Sequence, residues 1–180
     1  MDYREMAPEE ISRIGEVDRA ESIAGSFVVT RDETGLGLRA EFVTFEKPRP
    51  VQPWDESGIE SRINDWKPHL ERGGLLYGAF EADRLAGFVL LGPRLRDASA
   101  EVVALFVDSS HRRRGVGGEL MAWAEDKAHE LSVSALFLHS NPTESASRFY
   151  LKAGFEIVGL ISKELVRELS GDITMAKRLA

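Results

Sequence analysis

The sequence predicts one domain of the α/β (α+β) class, with strands that are first antiparallel and then parallel around a glycine-rich turn. Residues 102–107 are apolar on both faces, which is typical of a central strand covered on both sides. This run leads into the glycine-rich turn at residues 111–118, and a helical pattern over residues 116–131 follows the turn. Hairpin-like pairs of strands precede this unit, and strands alternating with helices follow it. The order of elements therefore favours a sheet with helices packed on it.

Composition restricts the class of function. A chain of 180 residues with 43% apolar and 29% charged residues has enough apolar material for one globular core. A net charge of −7 is unfavourable for binding nucleic acid and suits an amine-bearing partner better. The absence of cysteine excludes disulfides, thiolate metal sites and a cysteine nucleophile. Because no apolar run reaches transmembrane length and residues 1–5 do not resemble a signal peptide, we expect a cytoplasmic protein without a membrane partner.

The N-terminal third predicts a strand, a helix and a pair of strands. Residues 2–6 predict a short strand, and Pro8 followed by two glutamates predicts a helix start. Residues 27–30 and 36–45 predict two strands joined by a turn. Residues 47–53 contain three prolines and are predicted to be a connecting loop. The helix that follows Pro8 has an apolar stripe made of Ile11, Ile14, Val17 and Ala20.

The middle of the chain predicts an amphipathic helix and then a β-hairpin. Ser57 and Glu60 fit a capping box, and a pair of glycines ends the helical pattern. Pro68 lies inside this pattern and is predicted to kink or shorten the helix. Residues 75–81 and 85–91 predict the two strands of the hairpin. The helix has an apolar stripe made of Ile59, Ile63, Trp66 and Leu70.

The C-terminal third alternates helices and strands. Residues 135–138 predict a short buried strand, and Asn141 is predicted to be the N-cap of the next helix, with proline after it. Residues 155–161 and 172–177 predict strands, and residues 162–169 have a helical pattern between them. The helix that follows the glycine-rich turn is predicted to bury Leu120, Ala124, Ala128 and Leu131.

The glycine-rich turn predicts an anion site, because a helix N-terminus offers backbone N–H groups that have no partner within the helix. Two familiar nucleotide motifs do not fit it. A P-loop requires lysine and a hydroxyl residue after its last glycine, whereas Glu119 and Leu120 follow Gly118. A Rossmann turn requires a glycine where Leu120 stands and an acid after the next strand, where residues 139–141 offer none. These two readings are therefore disfavoured.

The third motif that we consider is Arg/Gln-x-x-Gly-x-Gly/Ala, which appears at Arg112, Gly115 and Gly117. By itself it also fits a helix start with a solvated basic turn. A second segment agrees with it: Asn141 is followed by Phe149-Tyr150 and then by Gly154-Phe155. In this order the two motifs resemble the GNAT N-acetyltransferase superfamily, whose coenzyme A pyrophosphate loop has the first pattern.

The resemblance covers roughly residues 75–180, and residues 27–53 look like a family-variable insertion. It implies a GNAT-like three-layer fold in a single acetyltransferase domain. The central sheet would be mixed, mostly antiparallel and splayed at the cofactor strand, with helices on both faces. It also implies an acetyl-CoA-dependent N-acetyltransferase that moves an acetyl group directly to a primary amine of a small molecule or peptide. Acetyl-CoA would be the co-substrate, and no metal is required.

The resemblance also implies roles for individual residues. Backbone groups of Leu105, Phe106 and Val107 would bind the pantetheine arm and the thioester carbonyl. Asn141 would contact the pantetheine, and Tyr150 would stand by the sulfur. Capping of a helix by Asn141 and core packing of Tyr150 are the alternatives. The pyrophosphate would be held through the backbone N–H groups of Arg112, Arg113, Arg114, Gly115, Val116, Gly117 and Gly118.

Acetyl transfer to an amine requires particular groups. A lysine-type amine has a pKa near 10.4, so about one molecule in 10³ is neutral at pH 7 and a base is useful. Glu101 is the lone acid of the apolar strand and stands eleven residues before Arg112, as the catalytic glutamate does in the histone-acetylating branch. A water molecule or His139 is the alternative base. The Val107 amide suits the oxyanion, and Tyr150, a phenol, suits the departing thiolate as an acid.

The acceptor stays open at this stage. Asp18 and Glu21 lie in the region that borders the acceptor in the family, and with the acidic net charge they suggest a cationic acceptor. Aminoglycoside or streptothricin-like antibiotics, polyamines, amino acids, peptide N-termini and protein lysines all remain candidates. A homodimer is common in the family. The alternative function is a non-catalytic acyl-CoA-binding sensor or regulatory module.

Overall fold

The computed structural model describes residues 1–34, 37–160 and 173–179 of the chain. The chain divides into two compact units. One contains Met1–Glu21, Val51–Leu136 and Leu179–Ala180, and the other contains Ser22–Pro50 and Phe137–Arg178. The strands are β1 (Asp2–Met6), β2 (Glu21–Arg31), β3 (Leu38–Val51), β4 (Leu75–Glu81), β5 (Arg84–Leu91), β6 (Ser99–Val107), β7 (Ala135–Ser140), β8 (Glu156–Leu160) and β9 (Ile173–Arg178). The α-helices are α1 (Glu56–Glu71), α2 (Val116–Glu130) and α3 (Glu144–Lys152), and a 3-10 helix covers Pro8–Glu16.

The first unit is built on a mostly antiparallel sheet. Its strands stand in the order β1-β4-β5-β6, and each neighbouring pair is antiparallel. β4 and β5 form the predicted hairpin. The turn between them places Ala82 and Asp83 at φ 47° and 70°, which is the backbone form of a tight two-residue hairpin loop. The turn pairs Glu81 with Arg84, and the register of the hairpin then shifts by one residue between Phe80 and Ala79.

Helices cover both faces of this sheet. On one face, Trp66 and Leu70 of α1 and the apolar residues of the 3-10 helix pack against Phe88 of β5. On the other face, Leu120 of α2 lies against Gly87, where an added Cβ would stand 3.3 Å from Leu120 Cδ1. Gly87 and Phe88 are neighbours in a strand and so point to opposite faces. The predicted arrangement of helices on both faces is confirmed.

The second unit contains α3, the sheet β7-β9-β8 and the ribbon β2-β3, and β7 contributes its residues from Phe137 onward. β8 and β9 are antiparallel. The ribbon is attached to the start of α3, because Phe27 N donates to the carbonyl oxygen of Pro142 at 2.7 Å and Ser26 Oγ donates to the same oxygen at 3.0 Å. Phe27 also packs edge-on against Phe42, with ring centroids 5.3 Å apart.

The loop predicted at residues 47–53 was wrong. β3 continues to Val51 and includes Pro48 and Pro50, and β2 begins at Glu21, well before the predicted strand. Proline lacks a backbone donor, but a two-stranded ribbon has an outer edge on each strand where no donor is required. The prolines therefore exclude an inner strand, as predicted, but they do not exclude this one.

The ends of two helices differ from the prediction. The N-cap of α1 is Asp55, whose carboxylate accepts from Gly58 N at 2.8 Å, and Ser57 donates to it instead of capping. α1 also runs through Pro68 to Glu71, because a proline in the last turn removes only one helical hydrogen bond. The N-cap of α3 is Thr143, two residues after the predicted cap.

The packing of α2 agrees with the prediction except at its end. Leu120, Ala124 and Ala128 are buried, whereas Leu131 is 39% exposed and follows the last helical residue. The buried stripe thus ends one turn early. β6, β7, β8 and β9 lie at the predicted strands, and the predicted helical pattern at residues 162–169 lies outside the described residues.

Candidate functional site

The last residues of β6 present backbone groups on the side opposite β5. Asp108 N donates to Ala86 O at 2.8 Å, and the register pairs Val107 with Gly87. In an antiparallel pair, residues that exchange hydrogen bonds alternate with residues that do not. Val107, and Leu105 two residues before it, therefore direct their N–H and C=O groups away from β5. β7 follows β6 on this side in the strand order, so only groups that β7 leaves unpaired can hydrogen-bond an extended ligand.

A β-bulge interrupts β6 before these residues. Leu90 pairs with Ala104, whereas its neighbour Leu91 pairs with Val102, so Val103 is an additional residue in β6. Ala104 and Val103 both belong to the core that faces α1. Residues that precede a bulge point to the opposite face from the one that they would have in an uninterrupted strand. The face taken by the start of β6 is therefore set by the bulge.

Glu101, the predicted base, consequently lies on the face of the sheet covered by α1. Its carbonyl oxygen accepts from Gly92 N at 2.8 Å. An added Cβ on Gly92 would stand 3.3 Å from Val103 Cγ2 and 3.5 Å from Nδ1 of His69 in α1. Phe106 packs on the same face. Without the bulge, strict alternation would have put Glu101 and Phe106 on opposite faces. His69 lies beside Gly92 on the α1 face and was not indicated by the sequence.

The turn after β6 has the backbone form of an anion site. Arg113 has φ 64°, and Gly115, the N-cap of α2, has φ 88°. Left-handed residues next to a helix N-terminus turn successive N–H groups toward one side, and such concave backbones bind phosphate groups. An added Cβ on Gly118 would meet no heavy atom within 4 Å, so space remains beside the first turn. These residues fit a pyrophosphate.

The side chain of Arg112 makes three hydrogen bonds within the chain. Nε donates to Val107 O at 3.2 Å, Nη1 donates to Ala20 O at 2.9 Å and Nη2 donates to Arg19 O at 2.9 Å. One guanidinium thus joins the end of β6 to a segment more than ninety residues earlier in the chain. Binding through the Arg112 backbone N–H stays a prediction.

Asp18, predicted to line the acceptor site, is engaged within the chain. Its Oδ1 accepts from Ala20 N at 2.8 Å, and its Oδ2 accepts from Ser109 Oγ at 2.8 Å. Ser109 N in turn donates to the Asp18 carbonyl oxygen at 2.7 Å. Asp18 therefore fastens its own turn to the end of β6. Glu21 is partly exposed, and its contact with an acceptor stays a prediction.

A buried carboxylate, Asp108, fixes the start of the turn. Oδ2 accepts from Asp18 N at 3.0 Å and Arg84 Nη2 at 2.9 Å, and Oδ1 accepts from both the amide and the hydroxyl of Ser110. His111 is also buried, and its Nε2 lies 3.0 Å from a carboxylate oxygen of Glu81. Burial acts to raise the pKa of Asp108, but hydrogen bonds from Ser110, Asp18 and His111 outweigh it and lower the pKa to about 2.

We expect Asp108→Ala to lower the free energy of unfolding by about 3 kcal/mol, because it leaves two backbone N–H groups and a hydroxyl without an acceptor. This corresponds to a melting temperature roughly 6–12 °C lower in a protein of this size. Since the folded pKa lies below the unfolded value near 3.9, this stabilisation is present above about pH 4 and is lost as the pH falls through about 2. Denaturant unfolding at pH 7 and pH 3 measures it.

The matched variant is Asp108→Asn, which keeps the shape and one acceptor oxygen and should cost less than Asp108→Ala. An Asp108→Ala protein with the stability of the native chain at pH 7 would contradict a structural role for this carboxylate.

The remaining predicted residues lie in the second unit. Tyr150 is partly buried and packs edge-on against Phe149 and Phe155, with ring centroids 5.1 and 5.8 Å away. Burial raises the pKa of Tyr150 to about 12. Asn141 is exposed and does not cap α3, so the capping role that we weighed for it is wrong. His139 is exposed, and its Nδ1 lies 3.2 Å from Thr174 Oγ1.

Two structural features are absent from the described residues. Within them, no cluster of three or more His, Cys, Asp or Glu side chains has the geometry to hold a metal ion. No helix in the same residues has the length and apolar character required to cross a membrane.

The chain is similar to known acetyltransferases in sequence. Residues 39–155 match the model of the Acetyltransferase (GNAT) family. An uncharacterized N-acetyltransferase of Bacillus subtilis (strain 168), YvbK, is 32% identical over 107 residues, which are 58% of this chain and 67% of that protein.

The chain is also similar in fold to solved structures. A nourseothricin acetyltransferase has a TM-score of 0.79 over 99% of this chain and 98% of its own, at 24% identity. A putative streptothricin acetyltransferase from Bacillus anthracis str. Ames, in complex with acetyl coenzyme A, has a TM-score of 0.72 over 98% of each chain, at 17% identity. An aminoglycoside 6'-N-acetyltransferase complexed with coenzyme A has a TM-score of 0.58 over 71% of this chain and 82% of its own, at 21% identity.

Proposed function

Because the chain belongs to the GNAT acetyltransferase family, and is therefore an acyltransferase with acetyl-CoA as co-substrate, we propose that it acetylates a primary amine of a small molecule or peptide by direct transfer. The observation that supports this most is the end of β6. Leu105 and Val107 direct backbone groups away from β5, and the strand leads at once into a left-handed glycine turn and the N-terminus of α2. The arm of a thioester would lie along the edge of β6, and the pyrophosphate at the end of that arm would reach the turn that follows the strand.

Binding of the co-substrate is assigned to backbone groups. The N–H groups of residues 112–118 would receive the pyrophosphate, and the edge of β6 from Leu105 to Val107 would pair with the pantetheine. Asn141 is assigned a contact with the pantetheine as well. When bound, acetyl-CoA supplies an activated acetyl thioester. The Val107 amide is the donor assigned to the carbonyl oxygen of that thioester, because a fixed N–H stabilises negative charge that develops there.

Glu101 is assigned as the base, acting directly or through water on the acceptor amine. Its position on the face that carries Phe106 supports this role, because both residues then border the same side of β6. Proton removal matters because a lysine-type amine is almost entirely protonated at pH 7. His139 stays the alternative base, and His69 joins it as a group close to the start of β6.

Tyr150 is assigned as the acid. With its pKa raised to about 12 by burial, it keeps its proton at every physiological pH. A thiol has a pKa around 8.5, so complete proton transfer from Tyr150 Oη to a thiolate is uphill. The phenol is better suited to stabilise the developing charge on sulfur by donating a hydrogen bond, while the proton released by the amine becomes available to that sulfur through solvent.

Gly118→Ala tests the assignment of the pyrophosphate to the turn. Without ligand, the added methyl group meets no atom and a helix prefers alanine, so we expect the free energy of unfolding to rise by about 0.5 kcal/mol. With acetyl-CoA, the same methyl group occupies space beside the phosphates, and we expect the Kd to rise about tenfold or more. Thermal melts and calorimetry measure the two effects. Unchanged affinity in a more stable protein would place the pyrophosphate elsewhere.

The function itself is tested by coenzyme A release, read with a thiol reagent, across a panel of amines with acetyl-CoA. The chain contains no cysteine, so the reagent has no background from the protein. Turnover that depends on one class of amine supports the proposal. Tight binding of acetyl-CoA without turnover of any amine or protein substrate would support the sensor instead.

A further inference from the structure

Arg19 lies over the indole ring of Trp54. The guanidinium carbon stands 5.2 Å from the ring centroid, within the range of a cation–π contact. Trp54 in turn packs edge-on against Phe106 at the end of β6, with ring centroids 4.8 Å apart. The plane on which Arg19 rests is therefore fixed to the strand that carries Leu105 and Val107.

The backbone of Arg19 is also fixed to this strand. Arg112 donates to the carbonyl oxygens of both Arg19 and Val107. The turn that contains Arg19 is further held by Asp18, whose carbonyl accepts from Ser109 N. A long arginine side chain normally loses much conformational freedom when it binds a ligand. Here the backbone and the ring contact have already removed much of it.

The guanidinium of Arg19 is partly buried, and no carboxylate of the described residues lies at contact distance from it. Its cation–π contact is with the ring of Trp54. Burial lowers the pKa of Arg19, the nearby cations Arg62 and Arg112 lower it further, and Glu21 acts in the opposite direction. Arg62 is itself paired with Asp65 at 3.4 Å. Removing a cation from water beside like charges is costly unless an anion compensates for it.

We propose that Arg19 binds a carboxylate of the acceptor, so that the substrate is an amine that also carries an anionic group, as amino acids and peptides do. This inference rests on the proposed acetyl transfer. A guanidinium binds carboxylate through two parallel hydrogen bonds, and stacking on Trp54 sets the plane of that fork. The sign of the acceptor's charge is opposite to the one suggested by Asp18. The carboxylate of Asp18 is hydrogen-bonded to Ala20 and Ser109, whereas no carboxylate of the described residues pairs with Arg19.

The positive charge of Arg19 also acts on the amine of the same acceptor. A cation close to a bound amine disfavours the protonated form of that amine. An acceptor that brings one carboxylate to Arg19 and one amine to the end of β6 would therefore be held by the first group and be less charged at the second. A diamine of similar length would meet repulsion at Arg19 and gain no contact.

The test uses matched acceptors and matched variants. The acceptors are amino acids as free acids and as amides, 6-aminohexanoate with 6-aminohexanamide, and cadaverine, spermidine and an aminoglycoside as amines without carboxylate. The variants are Arg19→Gln and Arg19→Lys, with Arg72→Gln as the control, since Arg72 is an exposed arginine at the end of α1. kcat/KM is measured for each acceptor, the Kd for acetyl-CoA by calorimetry, and folding by thermal melts.

We expect the native protein to prefer a free acid over its amide by roughly 10- to 100-fold, the range expected from hydrogen bonds to a charged group. Arg19→Gln should remove this preference by slowing the acid and not the amide, and Arg19→Lys should keep part of it. The ratio of kcat/KM for the acid to kcat/KM for the amide is compared between the native protein and each variant, so that any difference between the amine pKa values of the two acceptors cancels. The control and the Kd for acetyl-CoA should not change.

Three results would overturn the inference while leaving acetyl transfer intact. They are a best acceptor without an anionic group, an equal loss for acid and amide in Arg19→Gln, or a weaker Kd for acetyl-CoA in that variant, which would assign Arg19 to a phosphate of the co-substrate. Absence of turnover with every amine would reject the proposed function, and with it this inference.

Discussion

Replacing Tyr150 by Phe should lower kcat about 100-fold and leave the Kd for acetyl-CoA unchanged. The substitution removes one hydroxyl and keeps the ring that packs against Phe149 and Phe155, so folding should be preserved. The magnitude is the lower end of what a positioned acid contributes. Because the pKa of Tyr150 is raised to about 12, the native enzyme should show no loss of kcat from this group below about pH 11. Steady-state kinetics over pH 6–10 and calorimetry measure these effects.

The control is Tyr3→Phe, which removes a phenol hydroxyl from β1 and should change neither quantity. Unchanged kcat in the Tyr150 variant would leave this tyrosine a packing residue that does not stabilise the charge on the departing sulfur. A variant with weaker affinity for acetyl-CoA and unchanged kcat would make the hydroxyl a binding group.

Glu101→Gln should lower kcat/KM for the acceptor about 100-fold at pH 7, since glutamine keeps the size of the side chain and cannot take a proton. The loss should shrink as the pH rises toward the pKa of the acceptor amine, because the neutral amine then forms without a base. The slope of log kcat/KM against pH in the variant measures this recovery. Affinity for acetyl-CoA should stay the same, since the carboxylate is not assigned to the co-substrate.

Glu71→Gln is the matched control, because Glu71 is an exposed acid at the last residue of α1 and forms an ion pair with Lys67. His139→Asn and His69→Asn complete the comparison. If either histidine variant shows the pH-dependent loss and Glu101→Gln does not, the base is that histidine and the assignment of Glu101 is wrong.

Much of the fold could be predicted because its signals are local. The hairpin of β4 and β5 follows from alternation and a two-residue turn, and α1 follows from apolar residues three and four positions apart. The errors at Pro48 and Pro68 share one cause. Each rule describes the cost of a residue in an average strand or helix, whereas the cost in this protein depends on whether a neighbour requires the missing donor.

In the candidate site, the glycine-rich turn could be predicted from the sequence, whereas the hydrogen bonds that hold the neighbouring segments together could not. The turn from Arg112 to Gly118 has a motif, because glycines and the helix start lie next to one another in the chain. The partners of Arg112 have no such signal, since Arg19 and Ala20 lie more than ninety residues away and offer only carbonyl oxygens, which every residue has. The same holds for the pairing of Asp18 with Ser109.

By itself, the sequence determined the order of the elements, the left-handed glycine turn before α2 and the family to which both motifs point, because periodicity, turn chemistry and helix capping depend on residues a few positions apart. Only the tertiary structure decided which way Glu101 faces, since one additional residue at the bulge in β6 reverses the alternation of side chains. It also decided that the Asp18 carboxylate is hydrogen-bonded to Ala20 and Ser109, and that Arg19 has no carboxylate of the described residues at contact distance. Hydrogen bonds and ion pairs between distant segments exist only after those segments have packed. They decide whether Asp18 or Arg19 offers its charge to a ligand beside β6.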